Sequence, residues 1–146
     1  MNDISAESVI VDTGGFYAAF VETDSHHEEA NALFEEIRSD RTFHRVFTSR
    51  YILSEFATTM LYSVGHRKVV DALTMILESE TFNLLPVGHT EFMTAWEWFQ
   101  RYDDQDISFV DHSTAVLARK YDVEHVFGFD NDFETLGFTL VPFDRY

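Results

Sequence analysis

Short apolar runs rich in β-branched residues alternate with longer stretches of helical periodicity along nearly the whole chain, and this alternation narrows the possible folds more than any other feature. Residues 8–12 (SVIVD), 46–48 (VFT), 82–87 (FNLLPV), 125–130 (HVFGFD) and 139–143 (TLVPF) read as strands, the last two joined by a short turn. Helix patterns fill the intervals. TGG at 13–15 opens one through about Phe20; Ser25 and Glu28 fit a capping box ahead of an apolar face of Ala30, Leu33, Phe34 and Ile37. Ser49 or Arg50 leads into a helix with Ile52, Phe56, Thr59 and Met60 on one side, and another runs over about 67–78. Thr90 and Met93 begin an aromatic helix carrying Phe92, Trp96 and Phe99; Ser108 begins the next, with Phe109, Ala115, Val116 and Ala118 inside. Strands separated by helices require crossover connections, which make neighbouring strands parallel and cover both faces of the sheet. The expected fold class is α/β, with three layers (α/β/α) and a parallel sheet of about five strands.

Two of these strand runs, SVIVD and HVFGFD, end in an aspartate. In a parallel sheet that places Asp12 and Asp130 at one carboxyl edge, the edge outside which open α/β sheets bind ligands. Glu55 lies early in the helix after VFT, and Asp111 in the first turn of the helix that begins near Ser108, so four acids from separated stretches can converge on one crevice. Like charges so close raise one another's pKa and do not all ionise without a compensating cation. Hard divalent ions, Mg²⁺ or Mn²⁺, match carboxylate and water oxygens. Such ions activate water and neutralise charge at a phosphodiester without any nucleophilic side chain. Each acid also has a plainer reading. Asp12 can cap its helix, Asp111 can complete a Ser108-x-x-Asp111 capping box, Asp130 can shape the turn at 130–132, and Glu55 can be a solvated helix position.

Composition bounds the remaining possibilities. At 146 residues, 45% of them apolar and 15 of them Phe, the chain is expected to form one domain over 1–146. The segment MNDISAES is polar and acidic, and no apolar run approaches the roughly 18–20 residues of a membrane span, so the expectation is a soluble, unsecreted, cytoplasmic protein. The absence of cysteine excludes disulfides, zinc–thiolate sites and cysteine nucleophiles. The seven histidines show no HExxH spacing and read as surface or structural; His112 adjoins Asp111, but neighbours on a helix point different ways. Acids outnumber bases 26 to 10, with lysine only at Lys68 and Lys120, and they are spread over the chain instead of forming a tail. That distribution favours a protein working in high salt, where screening shortens to about 3 Å at 1 M, over one with a basic partner.

With these residues in view, the sequence resembles the PIN-domain family and, within it, the VapC-type toxins of toxin–antitoxin pairs. The resemblance rests on VIVDTGGFYAAF at 9–20, TSRYILSEF at 48–56 and, most specifically, DQDISFVDHSTAVLARKYDVEHVFGFDNDFETLGF at 104–138. It implies a PIN-like, Rossmann-like fold whose acidic pocket binds Mg²⁺ or Mn²⁺ and hydrolyses RNA. Asp12, Glu55, Asp111 and Asp130 match the family's catalytic acids. Asp12 and Asp111 are the foremost metal ligands, Glu55, Asp106 and Asp130 further candidates, and Asp104 an outer one; Asp132 ranks below Asp130. Thr13 and Ser108 are candidates to orient water or ligand, or simply helix caps. The resemblance also implies an RNA substrate, a small antitoxin partner and a homodimer; Phe92, Trp96 and Phe99 read as core first and as a dimer surface second. In one respect the chain departs from its relatives: few basic residues are available to hold RNA. Arg38, Arg41, Arg45 and Arg50 form a local cluster, with Arg45 and Arg50 the substrate-binding candidates and Arg67 and Lys68 further on.

Rival readings fail simple tests. A receiver-type signalling module needs a lysine at a strand's carboxyl end, yet Lys120 precedes HVFGFD; a haloacid-dehalogenase-type phosphatase needs a second aspartate two residues after the first, where Gly14 stands. A catalytically silent PIN-like scaffold and a housekeeping RNA-processing nuclease remain as alternatives within the same fold.

Overall fold

The computed structural model describes residues 8–142. In chain order the elements are β1 (Ser8–Val11), α1 (Thr13–Phe20), α2 (His27–Arg38), β2 (Arg45–Ser49), α3 (Arg50–Val64), α4 (His66–Glu78), β3 (Phe82–Leu85), α5 (His89–Arg101), α6 (Phe109–Lys120), β4 (His125–Phe127), α7 (Asp132–Thr135) and β5 (Thr139–Val141). The strands form one sheet in the order β3-β2-β1-β4-β5, and every neighbouring pair is parallel. The expected α/β sheet of five parallel strands is therefore what the chain forms. Among the described residues, no helix is long and apolar enough to cross a membrane.

The central strand explains the order. All four residues of β1 are buried, as a strand covered by helices on both faces requires, and each buried aliphatic side chain contributes about 2 kcal/mol. Phe16 of α1 packs against Phe56 of α3 (centroids 5.6 Å apart) and Phe82 of β3 (5.7 Å), tying one face of the sheet into an aromatic core. Gly15 lets α1 start close to the sheet: a Cβ there would fall 2.2 Å from the Phe127 carbonyl oxygen. Chain order runs outward from β1 through β2 and β3 on one side and through β4 and β5 on the other. The reversal point, where α/β sheets open a crevice, lies between the carboxyl ends of β1 and β4.

Several expectations are corrected. The capping box of Ser25 and Glu28 does not form: Asp24 closes a turn, its carboxylate accepting from the His26 N–H at 2.9 Å and its carbonyl from the His27 N–H at 3.0 Å, so α2 starts one residue later with His26 as N-cap and no side-chain cap bond. Thr59 is exposed instead of facing the core with Met60. HVFGFD is strand only to Phe127, so Asp130 sits in the following loop. A single-turn helix, α7, and not a mere turn, carries the chain to β5, because parallel strands need a crossover. FNLLPV pairs only through Leu85, and Phe143 of TLVPF lies outside the described residues. On α5, Phe92, Trp96 and Phe99 are 41–43% exposed, so they are not core. They line the seam with α6, where Phe92 and Phe99 contact Phe109.

Candidate active site

Asp12 immediately follows β1, and its N–H extends the β1–β4 ladder by donating to the Phe127 carbonyl at 3.1 Å. Its carboxylate caps α1, with Oδ1 accepting from the Gly15 N–H at 2.7 Å. The plain helix-cap role is thus real, but it does not account for the environment. Asp12 is 3% exposed, and burial pushes its pKa from an ordinary 3.8 up to about 7; the Gly15 bond opposes the rise, while Asp130 and Glu55 add to it. Gly128, just past β4, lies directly against this carboxylate: a Cβ there would sit 2.4 Å from Oδ1 and 2.6 Å from Oδ2.

Asp111 enters from α6. Its N–H donates to the Ser108 Oγ at 3.1 Å, so the Ser108 cap fixes the turn that carries it. Burial pushes Asp111 up to about 8, reinforced in turn by Asp12, Asp130, Glu55 and Asp132. The four acids expected at the crevice therefore act on one another. Asp130 and Asp132 come from the loop and first turn after β4, where the Asp132 N–H donates to Asp130 Oδ1 at 2.9 Å. Burial and the charges of Asp130 and Asp106 raise Asp132 as well.

Carboxylate oxygens of Asp111, Asp130 and Asp132 all lie within 4.8 Å of one another. None of the ion pairs among the described residues reaches this cluster. A set of hard oxygen donors, in which burial and neighbouring charges raise Asp111 and Asp132 and to which no cationic side chain is paired, fits a divalent metal ion. Asp132, ranked below Asp130 in the sequence, thus stands beside it, and the signal was the Asp130-x-Asp132 spacing at a helix start. Gly128 was missed; an isolated glycine inside a strand pattern marks close approach of another group.

The remaining candidates divide. Thr13 donates its hydroxyl to Glu55 Oε1 at 2.5 Å, tying α1 to α3 beside the cluster. Ser108 serves as the α6 cap. Asp106 reaches the cluster through Asp132, whereas Asp104 is exposed and is not among the charges acting on Asp12, Asp111 or Asp132. Arg50 opens α3 at the carboxyl end of β2. Arg45 does not join the acids: it starts β2 opposite Ser8, at the amino edge, and its guanidinium lies over Phe47 at 5.5 Å. His112 is fully buried, against Phe99 and Tyr102, and burial lowers its pKa. It points away from the acids, as expected for the residue next to Asp111 on a helix.

The PIN domain family model matches residues 9–139. The 23S rRNA-specific endonuclease VapC20 of Mycobacterium tuberculosis, in two strains, is 33% identical over 102 residues, covering 66% of this chain and 72% of the relative. The crystal structure of Mycobacterium tuberculosis VapC20, a sarcin-ricin loop cleaving toxin, is similar with a TM-score of 0.82 and 30% identity over 90% of this chain and 97% of that one. VapBC2 from Rickettsia felis, solved bound to a promoter DNA fragment, has a TM-score of 0.65 at 12% identity, over 90% of this chain and 96% of the other. FitAcB from Neisseria gonorrhoeae has a TM-score of 0.63 at 15% identity, over 93% and 96%. These last two share the fold.

Proposed function

The chain belongs to the PIN-domain family, and from that premise we propose that it is a divalent-metal-dependent endoribonuclease, the toxin of a VapBC-type pair, acting on RNA in the cytoplasm. The observation that carries this reading is the convergence of Asp111, Asp130 and Asp132 within 4.8 Å beside buried Asp12. Likeness to a ribosomal RNA endonuclease over two thirds of the chain supports an RNA substrate and makes ribosomal RNA the first class to test.

Asp12, Asp111, Asp130 and Asp132 hold Mg²⁺ or Mn²⁺, with Asp106 behind Asp132. A bound ion of this kind supplies activation of water and neutralisation of charge on the phosphodiester oxygens. Glu55, oriented by the Thr13 hydroxyl, is the acid placed to orient the attacking water and accept its proton. Gly128 keeps the Asp12 carboxylate where the cluster needs it. Gly128→Ala is expected to displace that carboxylate and lower cleavage by about a hundredfold, in line with the cost of a misplacement of about 1 Å. Kinetics together with far-UV circular dichroism check this; full activity in a folded variant contradicts it.

The exposed apolar side chains of α5 (Phe92, Met93, Trp96, Phe99) and of α3 (Leu61, Tyr62) support a homodimer, and family membership supports a small antitoxin as the second partner. The test of function is cleavage of a mixed tRNA and rRNA pool in molar KCl with Mn²⁺, Mg²⁺ or EDTA. Discrete fragments with either metal and none with EDTA are expected. Intact RNA with well-folded, metal-supplied protein supports a catalytically silent scaffold instead.

A further inference from the structure

The segment after β4 serves two places at once. Asp130 and Asp132 join Asp111, whereas Phe129 and Asn131 line a cavity of about 550 Å³ with His26, Glu29, Leu140 and Pro142. Gly128 belongs to both, lining the cavity and lying against Asp12. Inside, the rings of His26 and Phe129 stack with centroids 4.2 Å apart and planes 7° from parallel. The His26 ring is held in place: Nδ1 lies 3.3 Å from Glu29 Oε1, and the backbone N–H donates to Asp24 at 2.9 Å. With one face covered by Phe129, its side chain is still 48% exposed.

The charge balance gives this aromatic pair a task. With a net charge of −16 and ten basic residues against 26 acids, the chain has little cationic surface for phosphates, and several of its bases are engaged. Lys120 pairs with Glu91 at 2.7 Å, Arg38 with Glu35 at 3.3 Å, and Arg119 donates to the Leu136 carbonyl while lying over Phe138. Phosphate contacts also fade steeply with salt, whereas stacking of a base on an aromatic face needs no charge and tolerates any sequence.

We infer that this cavity binds an unpaired nucleobase of the RNA substrate, next to the scissile phosphate, stacked on the His26–Phe129 pair. Leu140 and Pro142 supply apolar walls, and Glu29, Glu134 and Asn131 supply acceptors for the exocyclic amine of adenine, guanine or cytosine. The inference rests on the nuclease reading and locates its substrate.

The test uses a single-stranded oligoribonucleotide spanning a mapped cut site, with abasic residues placed one at a time on each side, in molar KCl and Mn²⁺. For wild type, one abasic position raises KM about tenfold. His26→Ala raises KM by a similar factor on the complete RNA and adds nothing on that abasic RNA, while His26→Phe, which keeps the stack, restores wild-type KM. If wild type cleaves but His26→Ala is silent, or its effect multiplies with every abasic position, the subsite is overturned and the nuclease stands. If wild type cuts no RNA at all, the nuclease reading itself fails.

Discussion

Asp111→Asn is expected to reduce metal-dependent cleavage on the order of a thousandfold while raising the Tm of the metal-free protein above pH 8. The first effect follows from removing one of three carboxylates gathered within 4.8 Å. The second follows from the same crowding: above about pH 8 the wild-type side chain carries a charge that burial, Asp12, Asp130, Glu55 and Asp132 all oppose, and Asn fills the same space without it. The α6 cap survives, because Ser108 accepts from the backbone N–H of residue 111. A gain of at least a few degrees is expected, each kcal/mol being worth about 2–4 °C in a chain of this size. At pH 5, where wild-type Asp111 is already protonated, the two melt alike. Calorimetry at both pH values separates this from a merely structural role, which lowers Tm at each.

Metal-free wild type should lose stability as pH rises from about 4 to about 8, against the usual behaviour of paired carboxylates. Unfolded carboxyls release their protons near 3.8, whereas folded Asp12 holds its proton to about 7 and Asp111 to about 8. Over that window the unfolded state binds fewer protons, so the unfolding free energy falls with pH and then levels off. For Asp12 alone the change is about 4 kcal/mol. Glu91, held low by Lys120, acts at the acid end; His112, held low by burial, opposes the trend up to about pH 6.5, one group against two, so the fall is steepest between pH 6.5 and pH 8. Because metal ligands must be deprotonated, the Tm gained from Mg²⁺ or Mn²⁺ over EDTA should grow from pH 6 to pH 8. A metal-free Tm that is flat or rises across this range contradicts the reading of the cluster.

What the sequence made legible was whatever local patterns encode. β1, α1 and the caps at Asp12 and Ser108 fall where hydrophobic period and capping chemistry put them, and of the pair Ser49 and Arg50 it is Ser49 that caps α3. Strand ends and helix starts brought Asp12, Glu55, Asp111 and Asp130 out of 26 acids, and the family resemblance then matched the same four. The sequence failed where two local signals competed or where the partner lies far along the chain. Asp24 and Ser25 are adjacent capping groups, and only geometry decides that Asp24 takes the His26 N–H. Helical spacing grouped Phe92, Trp96 and Phe99 on one face but carried no information about what covers that face. Gly128 and Asp12 are distant in sequence and meet only because β1 and β4 are neighbours. Arg45 and Arg50 look like one cluster in sequence, yet β2 runs between them and separates the sheet's two edges.

Cleavage is expected to depend on a metal ion held by these carboxylates. Anomalous scattering from crystals of the protein soaked in Mn²⁺ tests it most directly. The expected result is a manganese peak coordinated by Asp111, Asp130 and Asp132 beside Asp12, lost in Asp111→Asn. A cleavage-competent protein with no peak there, or with manganese bound elsewhere, contradicts it.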